Sequence, residues 1–167
     1  MKKMKIPTLV LTLIFIFLTS SMCLAFIPEE ECSIAGIRPG DDYQRVLDCY
    51  GTPLKMEKNK RGEKYIARIE YNGVIILCES KGSKDPVVRV TNIIVQKNNG
   101  WKTPSGIGVG TDFSVVEELY GYPSDVDTID GCRTYSNKIK APLYSSYCFH
   151  IYESKGKIYR ISLSGYL

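Results

Sequence analysis

The sequence predicts an α+β protein made of two tandem repeats, each a helix followed by antiparallel strands. Together the repeats form one sheet with the helices on one face. Three observations support this prediction: blocks of residues that recur about 70 positions apart, a helical spacing of apolar residues early in each repeat, and alternating apolar and polar residues after it. We predict repeats at 32-98 and 103-167. Neither unit buries much apolar surface alone, so the two must pack together.

The first 25 residues (1-25) have the organisation of a secretory signal peptide. Three lysines precede an apolar run of about 13 residues, and Cys23-Leu24-Ala25 stands where cleavage after Ala25 is expected. The run is shorter than the roughly 20 residues that cross a bilayer, so we expect no stable membrane span after cleavage. We therefore expect an exported protein, periplasmic or secreted. A retained anchor and lipid attachment at Cys23 are the less favoured alternatives.

The net charge of +4 comes mainly from this segment, which holds three of the 22 basic residues and none of the 18 acidic ones. The rest of the chain has 19 basic residues against 18 acidic ones, a net charge of +1. Nucleic-acid binding requires a basic face, so we expect no nucleic-acid partner. We predict that the charged segment from Lys55 to Lys64 is a solvated loop, and that Glu29, Glu30 and Glu31 form a solvated tail.

The internal repeat is clearest around the predicted helices. The block from Gly36 to Tyr43 recurs as the block from Gly106 to Phe113, and the match extends to Tyr50-Gly51-Thr52-Pro53 and Tyr120-Gly121-Tyr122-Pro123. Glycine and proline in register at both ends of a block favour a duplication over chance. Within each block, Asp41 or Thr111 is the predicted helix cap. Gly51 and Gly121 are expected to end the helices. The residues that would share one helical face are Tyr43, Val46, Leu47 and Tyr50, repeated by Phe113, Val116 and Tyr120.

Strands follow each predicted helix. In the first repeat, alternation from Tyr65 to Tyr71 leads to Asn72-Gly73, a strong hairpin signal. The other predicted strands of this repeat are Val74 to Cys78 and Val87 to Val95. In the second repeat we predict strands at Cys132 to Lys138, Tyr144 to Glu153 and Lys157 to Leu163.

Five cysteines lie beyond the signal segment, and export favours disulfides. No pair has CxxC spacing and the chain has one histidine, so we expect no metal site. Cys32, Cys49 and Cys78 are left as either core thiols or bridge partners. His150 stands two residues after Cys148, which could mimic a catalytic Cys–His pair. We favour a non-enzymatic protein with no cofactor.

The repeated pattern of glycine, a capping residue, valine, glycine and proline resembles the SmpA/OmlA envelope lipoproteins and the tandem-repeat β-lactamase inhibitory proteins. It occurs twice, at Gly36 to Pro53 and Gly106 to Pro123. The resemblance implies a helix-plus-sheet repeat without catalysis that binds other proteins through its sheet surface. It also implies a disulfide between Cys132 and Cys148, by analogy with the inhibitor-like members. The chain departs from the family in its poor lipobox and in having no recognisable inhibitory loop.

The predicted function is binding of another envelope or extracellular protein, as an assembly scaffold or an inhibitor, through the sheet face opposite the helices. Tyrosine and arginine are enriched at binding hot spots, although tyrosine also simply suits exposed strands. Trp101 could anchor a partner or pack over the seam between the repeats. The alternative function is a small-ligand or peptide carrier with a cleft between the repeats. The predicted partner-binding residues are Tyr152, Arg160, His150, Tyr135, Arg68 and Trp101.

Overall fold

The computed structural model describes residues 27–82, 85–137 and 147–165. The predicted signal segment, and the predicted strand ends at Lys138 and Tyr144, lie outside these ranges. Helix α1 spans Tyr43–Tyr50 and helix α2 spans Phe113–Tyr120. The strands are β1 Lys55–Arg61, β2 Lys64–Tyr71, β3 Val74–Gly82, β4 Asp85–Val95, β5 Asp125–Asp127, β6 Cys132–Asn137, β7 Tyr147–Ser154 and β8 Lys157–Gly165.

The predicted α+β class is wrong, because the described chain has a largely β fold. Eight antiparallel strands form one sheet, whereas α1 and α2 are only eight residues each. The charged segment predicted as a solvated loop contains β1, which pairs with β2 over seven residues from Lys55 to Arg61. Ladder hydrogen bonds come from the backbone, so polar side chains do not prevent a strand at a sheet edge. The short strand β5 was also missed.

The strand order is β1-β2-β3-β4-β8-β7-β6-β5, so two four-stranded halves meet where β4 pairs with β8. That pairing spans four residue pairs, from Asn92↔Ser164 to Val95↔Ile161. The predicted duplication remains a prediction. The two halves of the sheet are β1–β4 and β5–β8.

The helices begin one residue later than predicted. Asp42 is the N-cap of α1 and its carboxylate accepts a hydrogen bond from the Gln44 backbone N–H at 2.9 Å. The carboxylate of Asp41 instead accepts from the Arg38 backbone N–H. Gly51 and Gly121 end the helices as predicted, with φ of 70° and 72° and ψ near −150°. That conformation is open essentially only to glycine, which fixes the residue type there.

One continuous apolar core lies between the helices and the sheet. It takes Val46 from α1, Val116 and Tyr120 from α2, and alternate residues of the central strands. Fully buried examples from the strands are Ile69, Ile76, Ile93, Tyr135, Phe149, Ile151, Ile161 and Leu163. We call this side of the sheet the inner face and the opposite side the outer face.

Glu31 connects the segment before α1 to the second half of the sheet. The prediction that it belongs to a solvated tail is therefore wrong. Its side chain is 8% exposed and accepts hydrogen bonds from Tyr120 Oη at 2.7 Å and Ser105 Oγ at 2.7 Å. The Ser105 backbone N–H donates a third at 3.3 Å. A buried carboxylate is tolerated only when its oxygens are bonded in this way.

We predict that Glu31→Ala destabilises the protein by about 2–4 kcal/mol, because the Tyr120 and Ser105 donors lose their acceptor in a buried site. Urea unfolding measures the change. Glu30→Ala, at an exposed neighbouring position, is the matched control and should change stability by no more than about 0.5 kcal/mol. Equal effects of the two substitutions would show that the Glu31 contacts do not stabilise the fold.

Candidate functional site

The outer face presents two rows of side chains that run across seven strands. Residues paired across antiparallel strands point to the same side of a sheet, so the register defines these rows. The first row is Thr134, His150, Ser162, Ile94, Ile75, Glu70 and Lys55. The second row is Ser136, Cys148, Ser164, Asn92, Leu77, Arg68 and Glu57.

The middle of the outer face is apolar. Ile75, Leu77 and Ile94 are half-buried there, next to Asn92 and Ser162, whose side chains hydrogen-bond at 2.8 Å. These three residues are not among the predicted partner-binding residues. The signal was present in the apolar runs from Val74 to Cys78 in β3 and from Ile93 to Val95 in β4, since consecutive apolar residues in a strand place apolar side chains on both faces.

Tyr152 and Arg160 lie to one side of this apolar centre. They are paired across β7 and β8, and the Arg160 guanidinium carbon is 4.7 Å from the centroid of the Tyr152 ring. The Tyr159 ring lies 6.0 Å from that of Tyr152. Arg160 Nε is buried and has no hydrogen-bond partner among the described residues. The guanidinium is therefore in cation–π contact with the Tyr152 ring.

His150 is next to this pair on β7, and its Nδ1 is 3.3 Å from Thr134 Oγ1. Burial lowers the pKa of the imidazole below its ordinary value of 6.5, and the positive charge of Arg160 lowers it further. The ring is therefore held neutral near pH 7. The imidazole is within hydrogen-bond distance of Thr134. Cys148 lies two residues before His150 on the same strand and the same face.

Arg68 lies on the opposite side of the apolar centre from Tyr152. Its Nε is 2.6 Å from Glu70 Oε1, on a half-exposed part of β2. The outer face thus has Arg160 next to Tyr152 on β7 and β8, and Arg68 paired with Glu70 on β2. The apolar centre lies between these two cations.

Two predicted site residues lie elsewhere. Tyr135 is fully buried on the inner face, where its ring packs edge-on against Tyr120 at 5.9 Å. Trp101 packs on the Tyr50 ring at 4.3 Å and on the Tyr71 ring at 6.1 Å. Neither residue contributes to the outer face, so the candidate site keeps Tyr152, Arg160, His150 and Arg68.

The predicted Cys132–Cys148 disulfide is not formed. Cys132 pairs with Tyr152 and Cys148 pairs with Ser136, so the two cysteines are four positions apart along neighbouring strands. That offset is about 13 Å, well beyond the roughly 7 Å that a disulfide can bridge between Cα atoms. All five cysteines of the described chain are free thiols; Cys32 and Cys78 are buried in the core.

Among the described residues, no cluster of three or more histidine, cysteine or acidic side chains could hold a metal ion. Within the same ranges, no helix has the length and apolar character needed to cross a membrane.

Comparison of the chain with protein-family models, with curated proteins and with solved structures found no match. The resemblance to envelope lipoproteins and β-lactamase inhibitory proteins therefore remains an expectation from the sequence.

We predict that His150, the only histidine in the chain, titrates below 6.5 in the folded protein. The folded state then binds fewer protons than the unfolded state, so His150 lowers the stability progressively as the pH falls through 6.5. NMR titration of the imidazole measures the pKa. Arg160→Gln should raise it, whereas Arg61→Gln, at an exposed position on β1, should not. A pKa at or above 6.5 would contradict the burial argument.

We also predict a strong order of thiol reactivity. Cys49 is exposed and should be alkylated first under native conditions, whereas burial raises the pKa of Cys78 to about 12 and should protect it until unfolding. Iodoacetamide labelling followed by peptide mass mapping gives the order, with denatured protein as the control for full labelling. Recovery of a Cys132–Cys148 peptide pair under non-reducing conditions would contradict the strand register.

Proposed function

We propose that this chain is an exported, non-enzymatic protein that binds another envelope or extracellular protein through the outer face of its sheet. The single observation that carries the proposal is the composition of that face. Half-buried Ile75, Leu77 and Ile94 form an apolar centre, with Tyr152 and Arg160 beside it. An apolar centre with aromatic and arginine side chains at its margin is typical of protein interfaces.

The Tyr152–Arg160 contact supports binding further. A guanidinium already in contact with an aromatic ring loses little conformational freedom when a partner docks, which lowers the entropic cost of binding. The Arg160 side chain is partly exposed, and the N–H groups of a guanidinium suit a partner's carbonyl or carboxylate oxygens. The same arrangement leaves Tyr152 half-buried, with a polar hydroxyl on an apolar ring.

Catalysis by a cysteine is less consistent with the geometry of the face. A nucleophilic cysteine needs a base that takes its proton, and such pairs are recognised by a direct hydrogen bond. Here the His150 ring contacts Thr134. The signal-like segment supports export, and nothing in this proposal depends on membrane attachment.

A carrier with a cleft between the two halves has less support. The junction is filled by the Glu31–Tyr120–Ser105 contacts on one side and by Trp101 on Tyr50 on the other. A ligand there would have to displace packed side chains.

We predict that Tyr152→Ala/Arg160→Ala abolishes partner capture without unfolding the protein, because hot-spot side chains contribute most of the binding energy. Immobilised wild-type and variant proteins are incubated with envelope extract, and bound proteins are quantified by mass spectrometry. At least one protein should bind the wild type and be reduced about tenfold or more on the variant.

The matched control is Tyr122→Ala/Arg45→Ala, which removes the same residue types at exposed positions outside the outer face. The same protein should bind this control as it binds the wild type. The proposal is wrong if no captured protein distinguishes the two double variants while both keep the wild-type unfolding midpoint.

A further inference from the structure

A groove lies on the inner face at the β1 edge of the sheet, between α1 and the β1–β2 hairpin. Its volume is about 450 Å³. Ala67 and Val88 form an apolar floor, and the rings of Tyr43 and Tyr65 form walls on either side. The groove is on the opposite side of the sheet from the outer face and away from the junction of the two halves.

Two lysines of β1 stand over these tyrosine walls. Lys58 Nζ is 4.5 Å from the centroid of the Tyr43 ring and donates a hydrogen bond to its hydroxyl at 3.2 Å. Lys60 Nζ is 5.5 Å from the centroid of the Tyr65 ring. Both lysines line the groove because they pair with Ala67 and Tyr65 across the hairpin.

The charges of these two lysines are not neutralised within the described part of the chain. Lys55 and Lys64 of the same hairpin, by contrast, pair with Glu57 at 2.6 Å and with Glu79 at 3.2 Å. Lysines on an edge strand commonly prevent sheet-to-sheet aggregation, and Lys55, Lys58 and Lys60 of β1 can serve that purpose. Of the four lysines of this hairpin, Lys58 and Lys60 combine an unneutralised charge with a position in the groove.

The corresponding space beside the second helix is closed. Phe113 occupies the first position of α2, as Tyr43 does in α1, and is 5% exposed. The Arg133 guanidinium carbon lies 4.7 Å from the Phe113 ring centroid, and Arg133 also pairs with Glu153 at 3.4 Å. A long side chain with a neutralised charge thus fills the second space, whereas the small side chain of Ala67 leaves the first one open.

We propose that this groove binds a small amphiphilic anion, a molecule with an aliphatic or aromatic body and one carboxylate, sulfonate or phosphate group. The volume is within the range of about 300–1,000 Å³ that is usual for small-molecule sites. The body lies on Ala67 and Val88 between the two tyrosine rings. The anionic group accepts hydrogen bonds from the ammonium groups of Lys58 and Lys60. To donate them, these two ammonium groups move away from the Tyr43 and Tyr65 rings. The ligand is a free molecule in solution, not a membrane surface.

The probes are a matched pair of dyes that differ in charge. 1-Anilinonaphthalene-8-sulfonate carries a sulfonate, and N-phenyl-1-naphthylamine has the same aromatic body without it. Fluorescence titration of the purified protein should show saturable binding of the sulfonate at one site. Lys58→Gln/Lys60→Gln should weaken binding of the sulfonate about fivefold or more and change binding of the neutral dye less than about twofold, since two partly exposed charge contacts are lost.

The matched control is Lys55→Gln/Lys64→Gln, which removes the same charge from the same hairpin outside the groove. It should bind both dyes as the wild type does. Circular dichroism and the unfolding midpoint confirm that each variant is folded, because partly unfolded proteins also bind the sulfonate dye. Equal losses in the two double variants, or no saturable binding by the folded wild type, would overturn the proposal.

Competition distinguishes a free ligand from a membrane. Dodecanoate, below the concentration at which it forms micelles, should displace the sulfonate dye, and dodecanol should displace it less well. Vesicles of phosphatidylglycerol should neither displace the dye nor sediment the protein. Displacement by vesicles alone would show a membrane-binding site and contradict a groove for a free anion. This result would leave the proposed outer-face function unaffected, because that site is on the other side of the sheet.

Discussion

The pairing of β4 with β8 is the interaction on which the rest of the structure depends. It spans only four residue pairs, yet it turns two four-stranded halves into one eight-stranded sheet. The N-terminal parts of β4 and β8 extend beyond this pairing and instead bond to the segments that lead into the helices. Val90 exchanges backbone hydrogen bonds with Gly40 and Asp41, and Ile158 does so with Gly110 and Thr111. The same two strands therefore position both helices over the core.

The segments before the helices also lock the halves together, because each contacts the other half. Glu31, which precedes α1, binds Tyr120 at the end of α2. Trp101, which precedes α2, packs on Tyr50 at the end of α1. The two contacts differ in chemistry: one is a buried carboxylate with three donors, and the other is aromatic packing. A hydrogen-bonded carboxylate requires closer geometry than stacked rings do, so we infer that the Glu31 contact fixes the relative position of the halves more strictly.

The two faces of the sheet are suited to different ligands. The outer face is broad and shallow, with an apolar centre and polar margins, which favours another protein surface. On the inner face, the short α1 and the small Ala67 leave a concave groove at the β1 edge. Concavity and two unneutralised lysines there favour a small anion. The same edge strand thus contributes Glu57 to one face and Lys58 to the other, since successive strand residues point to opposite sides.

The sequence by itself determined the local features: the glycines that end both helices, the Asn72-Gly73 turn, and the alternation that places Arg160 and Tyr152 opposite the core. These features depend on residues that are close in the chain. Their backbone preferences can be inferred from the sequence without knowledge of the fold. Only the tertiary structure decided the rest. It made the charged Lys55–Arg61 segment a strand through pairing with β2, buried Glu31 and Tyr135, and set Cys132 and Cys148 apart by register. Each of these outcomes depends on a partner distant in sequence or on a strand register, and composition and spacing do not encode which partner or register that is.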